Sequence, residues 1–395
     1  MDVLPPSIDP WYTAPAGYEA AVPGTVLRVR PGPETHLAAM NSTASSIYNI
    51  LYRTTDAFEQ PSFAVTTLLV PLSPSETNGT KLLSYQIPYN TVNIDYSPSY
   101  ALGTEYATYL ADITTALENG WFVNVPDFEG PRASFSVSLE SAHATLDSIR
   151  AVIAADIHPE HGLDADTSTV LWGYSGGSIP SEVAGEVAAA YAPELDIAGI
   201  AIGGVLVDVE HVLRVVDGTA YAALAPLMML GLATRYPEVR AYLDSYLRPY
   251  GAWNRTAFES AAGMSVLQAY GVFGNQSMAM YFSSGSGWLH ALELRAAKEE
   301  SWVMGRRGTP GVPMFVYMAV GDEVCPVGDV DGLVRAYCEA GARIRYERNT
   351  VGNHLAEKMG DRERVFGWLA GIFEGMEVQV GCVVRDVKIG GEPVV

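Results

Sequence analysis

The chain predicts an α/β fold, with a mainly parallel central sheet carrying helices on both faces. Three observations predict it. Short β-branched runs alternate with helical patterns along most of the 395 residues. A glycine-flanked serine, Gly173-Tyr174-Ser175-Gly176-Gly177, stands between an apolar run and a small-residue helix pattern. The alternation is suspended once, from about Val205 to Arg306.

Taken in order, the first thirty-five residues are rich in Pro and Gly and read as an extended arm. Phe63–Val70 is strand-like and ends at Pro71; a polar turn, Ser73–Thr80, leads to a second strand, Lys81–Tyr85. This pair suits an antiparallel start to the sheet. A helix over Glu105–Leu117, a strand over Trp121–Pro126 and a helix over Ser138–Ala154 follow. Thr169–Trp172 is the next strand, and the Ala-, Glu- and Val-rich stretch Ser181–Ala192 the helix after it. A serine at so sharp a strand-to-helix turn projects its hydroxyl from the end of a sheet, which is the nucleophile elbow of an α/β-hydrolase. Gly173 and Gly177 allow the tight turn.

Ile197–Gly203 is a further strand. The block Val205–Arg306 then reads as helices and loops rich in aromatics and methionines, such as Leu227-Met228-Met229-Leu230 and Met278-Ala279-Met280-Tyr281. Most of these residues are expected in ordinary helical core; the block as a whole is expected to be a helical cap inserted between nucleophile and acid. Strands over Pro313–Val320 and Arg343–Arg348, a turn at Val351–His354 and a helix over Asp361–Glu374 complete the core, and Val378–Val395 reads as an appended β-hairpin. The expected organisation is therefore 1–204 for the arm and the first part of the core, 205–306 for the cap, and 307–395 for the rest of the core with its C-terminal flap.

The chain has 24 Lys and Arg against 45 Asp and Glu, a formal net charge of −21, which argues against nucleic acid or an anionic membrane surface as a partner. No apolar run is long enough for a transmembrane helix. Cys325, Cys338 and Cys382 allow one internal disulfide with one thiol left over, and their spacing is unlike a zinc site. The opening Met-Asp-Val-Leu-Pro-Pro-Ser lacks a signal-peptide pattern, whereas four glycosylation sequons, at Asn41, Asn78, Asn254 and Asn275, lead to the expectation of a secreted protein, a cytoplasmic one being the alternative.

A serine hydroxyl is a weak nucleophile. It needs a histidine to take its proton and a carboxylate to orient that histidine. With Ser175 as nucleophile, the chain order Ser, acid, His leaves His211, His290 and His354 as bases. The first two fall near or inside the expected cap, so His354, on a Gly-Asn-His turn after the last core strand, is the candidate. Asp322 directly follows a buried strand and is the candidate acid; Glu323, Asp329 and Asp331 read as solvated or helix-start carboxylates. His36, His143, His158 and His161 precede the nucleophile and read as surface or structural. An oxyanion hole needs the N–H of Gly176 and one from the loop Ile87–Thr91, where Asn90 is the candidate, a simple turn residue being its competing reading. No metal or cofactor is expected.

Several blocks in order resemble the fungal secretory lipase family: Tyr52–Asp56 with the Ala64–Pro71 strand, Ser84-Tyr85-Gln86, Ser97–Tyr100, Val125–Pro131, His143–Arg150, Trp172–Gly177 and Asp322–Pro326. The resemblance covers most of the chain. It implies an α/β-hydrolase core, a helical cap, a flap near an acyl channel, the triad Ser175, Asp322 and His354, and Gly176 in the oxyanion hole. Asn90 stands where that family commonly has aspartate, and Tyr96 where relatives often carry cysteine, so the usual disulfide pattern is expected to be absent. The implied activity is that of a serine carboxylic-ester hydrolase, a lipase or esterase working through an acyl-enzyme on a small-molecule or lipid ester, with at most transient contact with a lipid interface. Two alternatives are a deacylase, acyltransferase or lactonising enzyme of secondary metabolism using the same triad, and a noncatalytic binding protein on the same scaffold.

Overall fold

Thr169, Val170, Leu171 and Trp172 are all buried, as the middle of a parallel sheet requires. The sheet around them has ten strands in the computed structural model, which describes residues 3–40, 42–75, 79–155, 162–360 and 362–390. In chain order they are β1 (Val26–Pro31), β2 (Ala44–Thr55), β3 (Pro61–Pro71), β4 (Lys81–Gln86), β5 (Phe122–Pro126), β6 (Ser168–Tyr174), β7 (Ile197–Gly203), β8 (Met314–Ala319), β9 (Ile344–Asn349) and β10 (Cys382–Val387). Their order in space is β1-β2-β3-β5-β4-β6-β7-β8-β9-β10. From β5 to β10 every pairing is parallel; β1, β2, β3 and β5 pair antiparallel in sequence across the sheet.

The strands over Phe63–Val70 and Lys81–Tyr85 both exist, but they are not partners. The helix Ala107–Glu118 returns the chain so that β5 lies between them, antiparallel to β3 and parallel to β4. The helix expected over Glu105–Leu117 runs over Ala107–Glu118, and a further helix, Pro98–Glu105, precedes it. The arm is not extended throughout, since it holds short helical turns at Pro10–Tyr12 and Tyr18–Ala20 before β1. The longest strand, β2, escaped the hydrophobic pattern because its buried positions include Asn49 and Thr54. These are satisfied internally: Asn49 donates to the Ser99 carbonyl at 2.9 Å, and Thr54 donates to Asp147 at 2.7 Å.

At the C-terminus, residues 382–387 form a strand, parallel to β9 and tied to the helix Val327–Glu339 by the Cys338–Cys382 disulfide; among the described residues of the expected hairpin it is the one strand. Residues 391–395 of that expectation, Asp361 at the start of the expected last helix, and His158 and His161 lie outside the described residues.

Between β7 and β8 run six α-helices, Val209–Val216, Leu224–Ala233, Pro237–Tyr246, Arg255–Glu259, Val266–Phe273 and Arg295–Ser301. Leu227, Met228 and Met229 are fully buried and share one apolar cluster with Ile200 and Val316 of the sheet. These methionines are core, as expected; Met280 is 44% exposed. Among the described residues no helix is long and apolar enough to cross a membrane.

The core also buries acids without cations in contact. Burial pushes the Asp127 carboxyl up to about 7, and those of Glu129 and Glu182 well above the usual glutamate value, Glu182 further because Glu186 lies beside it. A carboxyl kept neutral in the folded chain ionises freely in the unfolded one. Its stabilisation is complete below the unfolded value of about 4 and is lost as pH rises through the folded value. Burial lowers His36 and His143 to about 4, and their contribution has the opposite sense, lost on acidification below about 6.5. Above about pH 6.5 the carboxyls alone of these groups act. The urea midpoint should therefore fall between about pH 6.5 and about pH 8.5, and fall less in Glu182→Gln. Equal midpoints at the two pH values would contradict this account.

Candidate active site

Strand β6 delivers Tyr174 to the sheet edge, and the backbone at Ser175 then turns into the left-handed region, φ +53°. For a residue with a Cβ this conformation costs of order 1–3 kcal/mol and persists only where the surroundings enforce it. Three glycines allow that enclosure. A methyl group on Gly173 would stand 1.9 Å from the Gly177 carbonyl oxygen, and one on Gly177 would stand 1.9 Å from that of Gln86. A methyl on Gly176 would meet Asn90 Oδ1 at 1.9 Å. The helix Ser178–Tyr191 starts at once, and Ser178 Oγ donates to the Ser175 carbonyl at 2.6 Å.

His354 opens the short helix His354–Gly360 beyond β9. Its Nε2 is 2.9 Å from Ser175 Oγ, and its Nδ1 is 2.8 Å from Asp322 Oδ2. The carboxylate on Nδ1 keeps a proton there, leaving Nε2 to accept from the serine hydroxyl. Asp322 is itself fixed: its other oxygen accepts the N–H groups of Val324 and Cys325 at 2.9 and 2.7 Å, and its side chain is wholly buried. The three candidate residues, on loops after β6, β8 and β9, are thus brought together by the folding of one sheet edge.

The main chain of His354 is pinned at both ends. Its N–H donates to Glu323 Oε2 at 2.9 Å, and its carbonyl accepts from Tyr174 O–H at 2.6 Å. Glu323 also accepts from Tyr221 O–H, at 3.1 Å, so it is no solvated loop carboxylate as its sequence position suggested. Neither spacing nor composition could reveal this, since the bond joins two loops through a backbone amide. Gly204, at φ +53°, lets the chain after β7 pass the imidazole; a methyl there would be 2.9 Å from His354 Cε1. Further along the same short helix, Lys358 bonds Asp112 at 2.6 Å and lies over the Trp172 ring, anchoring the helix to the core.

The other histidines are engaged elsewhere. His211 pairs with Asp329 at 2.8 Å and His290 with Arg214 at 3.0 Å, while Asp331 accepts from Tyr346. His36 and His143 are buried, and His143 stacks on Tyr191. Asn90 is buried at φ +47°, its side-chain amide laid against Gly176.

A family model described as Secretory lipase matches residues 97–381. Trichothecene C-3 esterase of Fusarium sporotrichioides is 42% identical, covering 97% of this chain and 88% of its own length. The chain belongs to the secretory lipase family. Lipase A of Arthroderma benhamiae, 35% identical, covers 97% of the chain and 83% of its own length. The crystal structure of Candida antarctica lipase A in its closed state superposes with a TM-score of 0.86, at 24% identity over 97% of this chain and 89% of that one, which shows a shared α/β-hydrolase fold. As a secretory lipase, the chain is an enzyme that hydrolyses carboxylic esters. Its elbow yields a sharp expectation. Gly173→Ala sets a methyl against backbone that cannot move without the sheet, and should destabilise the fold by about 3 kcal/mol. A urea midpoint unchanged in that variant would contradict the packing described.

Proposed function

We propose that Ser175, His354 and Asp322 are the nucleophile, general base and orienting acid of ester cleavage, with Gly176 and Asn90 flanking the oxyanion. The observation that carries this is the single imidazole with one nitrogen within 2.9 Å of a hydroxyl and the other within 2.8 Å of a buried carboxylate. His354 Nε2 takes the Ser175 proton as Oγ attacks the ester carbonyl carbon, and Asp322 stabilises the imidazolium so formed. The carbonyl oxygen becomes the oxyanion of the tetrahedral intermediate and is met by the N–H of Gly176 and the Asn90 segment. His354 then returns the proton to the leaving alkoxide oxygen, an acyl-enzyme remains, and water activated by the same histidine releases the acid.

The reading extends to residues 205–306 as a cap. Tyr221 of that block touches Glu323 beside the triad, and the Met264 carbonyl accepts from Thr91 of the oxyanion loop at 3.0 Å. On substrate, the 42% identity to a trichothecene C-3 esterase favours an acylated secondary metabolite; the 35% identity to a lipase supports acylglycerols as the second reading. Secretion is proposed from the family and the sequons, of which Asn275 is exposed while Asn41 and Asn78 lie outside the described residues.

A p-nitrophenyl organophosphonate should label Ser175 stoichiometrically and abolish hydrolysis, and Asp322→Asn should lower kcat roughly 10⁴-fold by reversing the imidazole tautomer. Activity surviving in Ser175→Ala would refute the covalent route. Rates across esters from acetyl to palmitoyl decide between the two substrate classes: a preference for acetate supports the deacylase reading, and one for long chains the lipase reading.

A further inference from the structure

The motif Asp127-Phe128-Glu129-Gly130-Pro131, directly after β5, contains a carboxyl that the triad does not use. Asp127 has an evident structural task, accepting the N–H and hydroxyl of Ser99 at 2.8 and 2.5 Å. Glu129 has none. It is wholly buried, both carboxyl oxygens lack a hydrogen bond of normal geometry, and no cation acts on it. Asp127 nearby repels it. Burying such a group without a partner is costly, where a leucine would carry no such penalty. A buried group so placed demands a reason other than packing.

That reason lies in what it faces. The groups that favour its charge are the backbone N–H groups of Thr91 and Asn90, in the oxyanion loop. The same short segment is bound to that loop twice more. The Glu129 N–H donates to the Tyr89 hydroxyl oxygen at 2.5 Å, and the Phe128 ring packs on the Tyr89 ring with centroids 4.8 Å apart. The Glu129 carbonyl accepts from Ser134 N–H at 2.7 Å, which fixes the segment itself. Meanwhile Asn90 holds a left-handed backbone, φ +47°, that lays its side-chain amide on Gly176. Asn tolerates that region better than most residues, and contacts to its amide decide how firmly the turn is held.

We propose that Glu129 is a positioning residue: its carboxyl attracts the amides of Asn90 and Thr91 and so keeps Asn90 in the left-handed turn that completes the oxyanion site beside Gly176. The proposal rests on the triad reading above. The carboxyl does not touch substrate. It acts through the loop, as an acceptor charge or dipole in surroundings of low dielectric, and its C=O oxygen serves whether or not the acid is ionised. The side chain of Asn90, which lies against Gly176, is then the group offered to the oxyanion.

The experiment compares Glu129→Ala, Glu129→Gln, Asn90→Ala and the double variant Glu129→Ala/Asn90→Ala. Hydrolysis of a p-nitrophenyl ester is measured, with active sites counted by phosphonate titration. Losing one oxyanion donor costs about 10²–10³ in kcat, so Glu129→Ala should lose roughly tenfold or more in kcat per titrated site, with KM changed less than about threefold. Glu129→Gln, whose amide oxygen still accepts, should recover most of the loss. The double variant should be about as slow as Asn90→Ala alone, because the two residues act as one unit. A merely structural Glu129 would lower the number of titratable sites and the melting temperature but leave kcat per site near wild type; that result overturns the proposal, as does a double variant in which the two losses multiply. Should Glu129→Ala fail to fold, Glu129→Asp, which withdraws the acceptor by one methylene, takes its place with the same two outcomes. Wild-type protein that takes no phosphonate at Ser175 would instead defeat the triad reading, and this proposal with it.

Discussion

The backbone of Ser175 is the constraint on which the rest depends. A left-handed serine is unfavourable by of order 1–3 kcal/mol, and its surroundings are so close that a Cβ on Gly173, Gly176 or Gly177 would stand 1.9 Å from a neighbouring atom. Those neighbours are the Gln86 carbonyl at the end of β4, the helix turn itself and the Asn90 side chain, so the elbow is clamped between the central strand and the oxyanion loop. The enclosure is what aims Oγ out of the sheet edge. It also makes the three glycines requirements of close approach more than of flexibility, since none of them has a positive φ.

Given a fixed hydroxyl, the second task is to keep an imidazole 2.9 Å from it. The protein does this with contacts to the main chain of His354 as well as to its ring. Tyr174, the residue before Ser175, holds the His354 carbonyl, and Glu323, the residue after Asp322, holds its N–H. Ser175 and Asp322 are therefore each tied to the loop of His354 both directly and through a sequence neighbour. A loop held at both peptide groups loses little further freedom when the ring takes up a proton, which is the sense in which such a site is preorganised.

How much of this was legible follows from which interactions have a local pattern. The elbow was, because a buried strand, a tight turn and a helix each leave a mark within a few residues of Ser175. The helix Ser138–Ala154 and the strand Ile197–Gly203 were read to the residue, the helix from its length of helix-forming residues and the strand as a short apolar run. Chain order singled out His354 and Asp322, which the fold places beside Ser175. The position of β5 between β3 and β4 was not legible, because strand order is decided by crossover packing far from the strands themselves. β2 was missed because its buried Asn49 and Thr54 look polar until their partners at Ser99 and Asp147 are known. Glu323 was misread for the same reason: a carboxylate that caps a distant backbone amide is identical in sequence to one in water. The pairing of the C-terminal strand with β9 was not legible, because the Cys338–Cys382 disulfide and the parallel ladder beside β9 join segments far apart in sequence.

Tyr221 gives the insertion between β7 and β8 a mechanical meaning. Its hydroxyl donates to Glu323, whose other oxygen receives the N–H of His354, and its ring stands edge-on to both Tyr270 and the imidazole. Any displacement of the insertion near Tyr221 must either break the bond to Glu323 or pull on the loop that carries His354. The first leaves a carboxylate with one partner fewer beside Asp322; the second lengthens the contact between His354 and Ser175. Either way the geometry of the proposed triad and the position of the insertion are not independent. The coupling runs through a single carboxylate with two partners, one on the insertion and one on the catalytic loop, and a charge-assisted bond of that kind is worth about 1.5–3 kcal/mol.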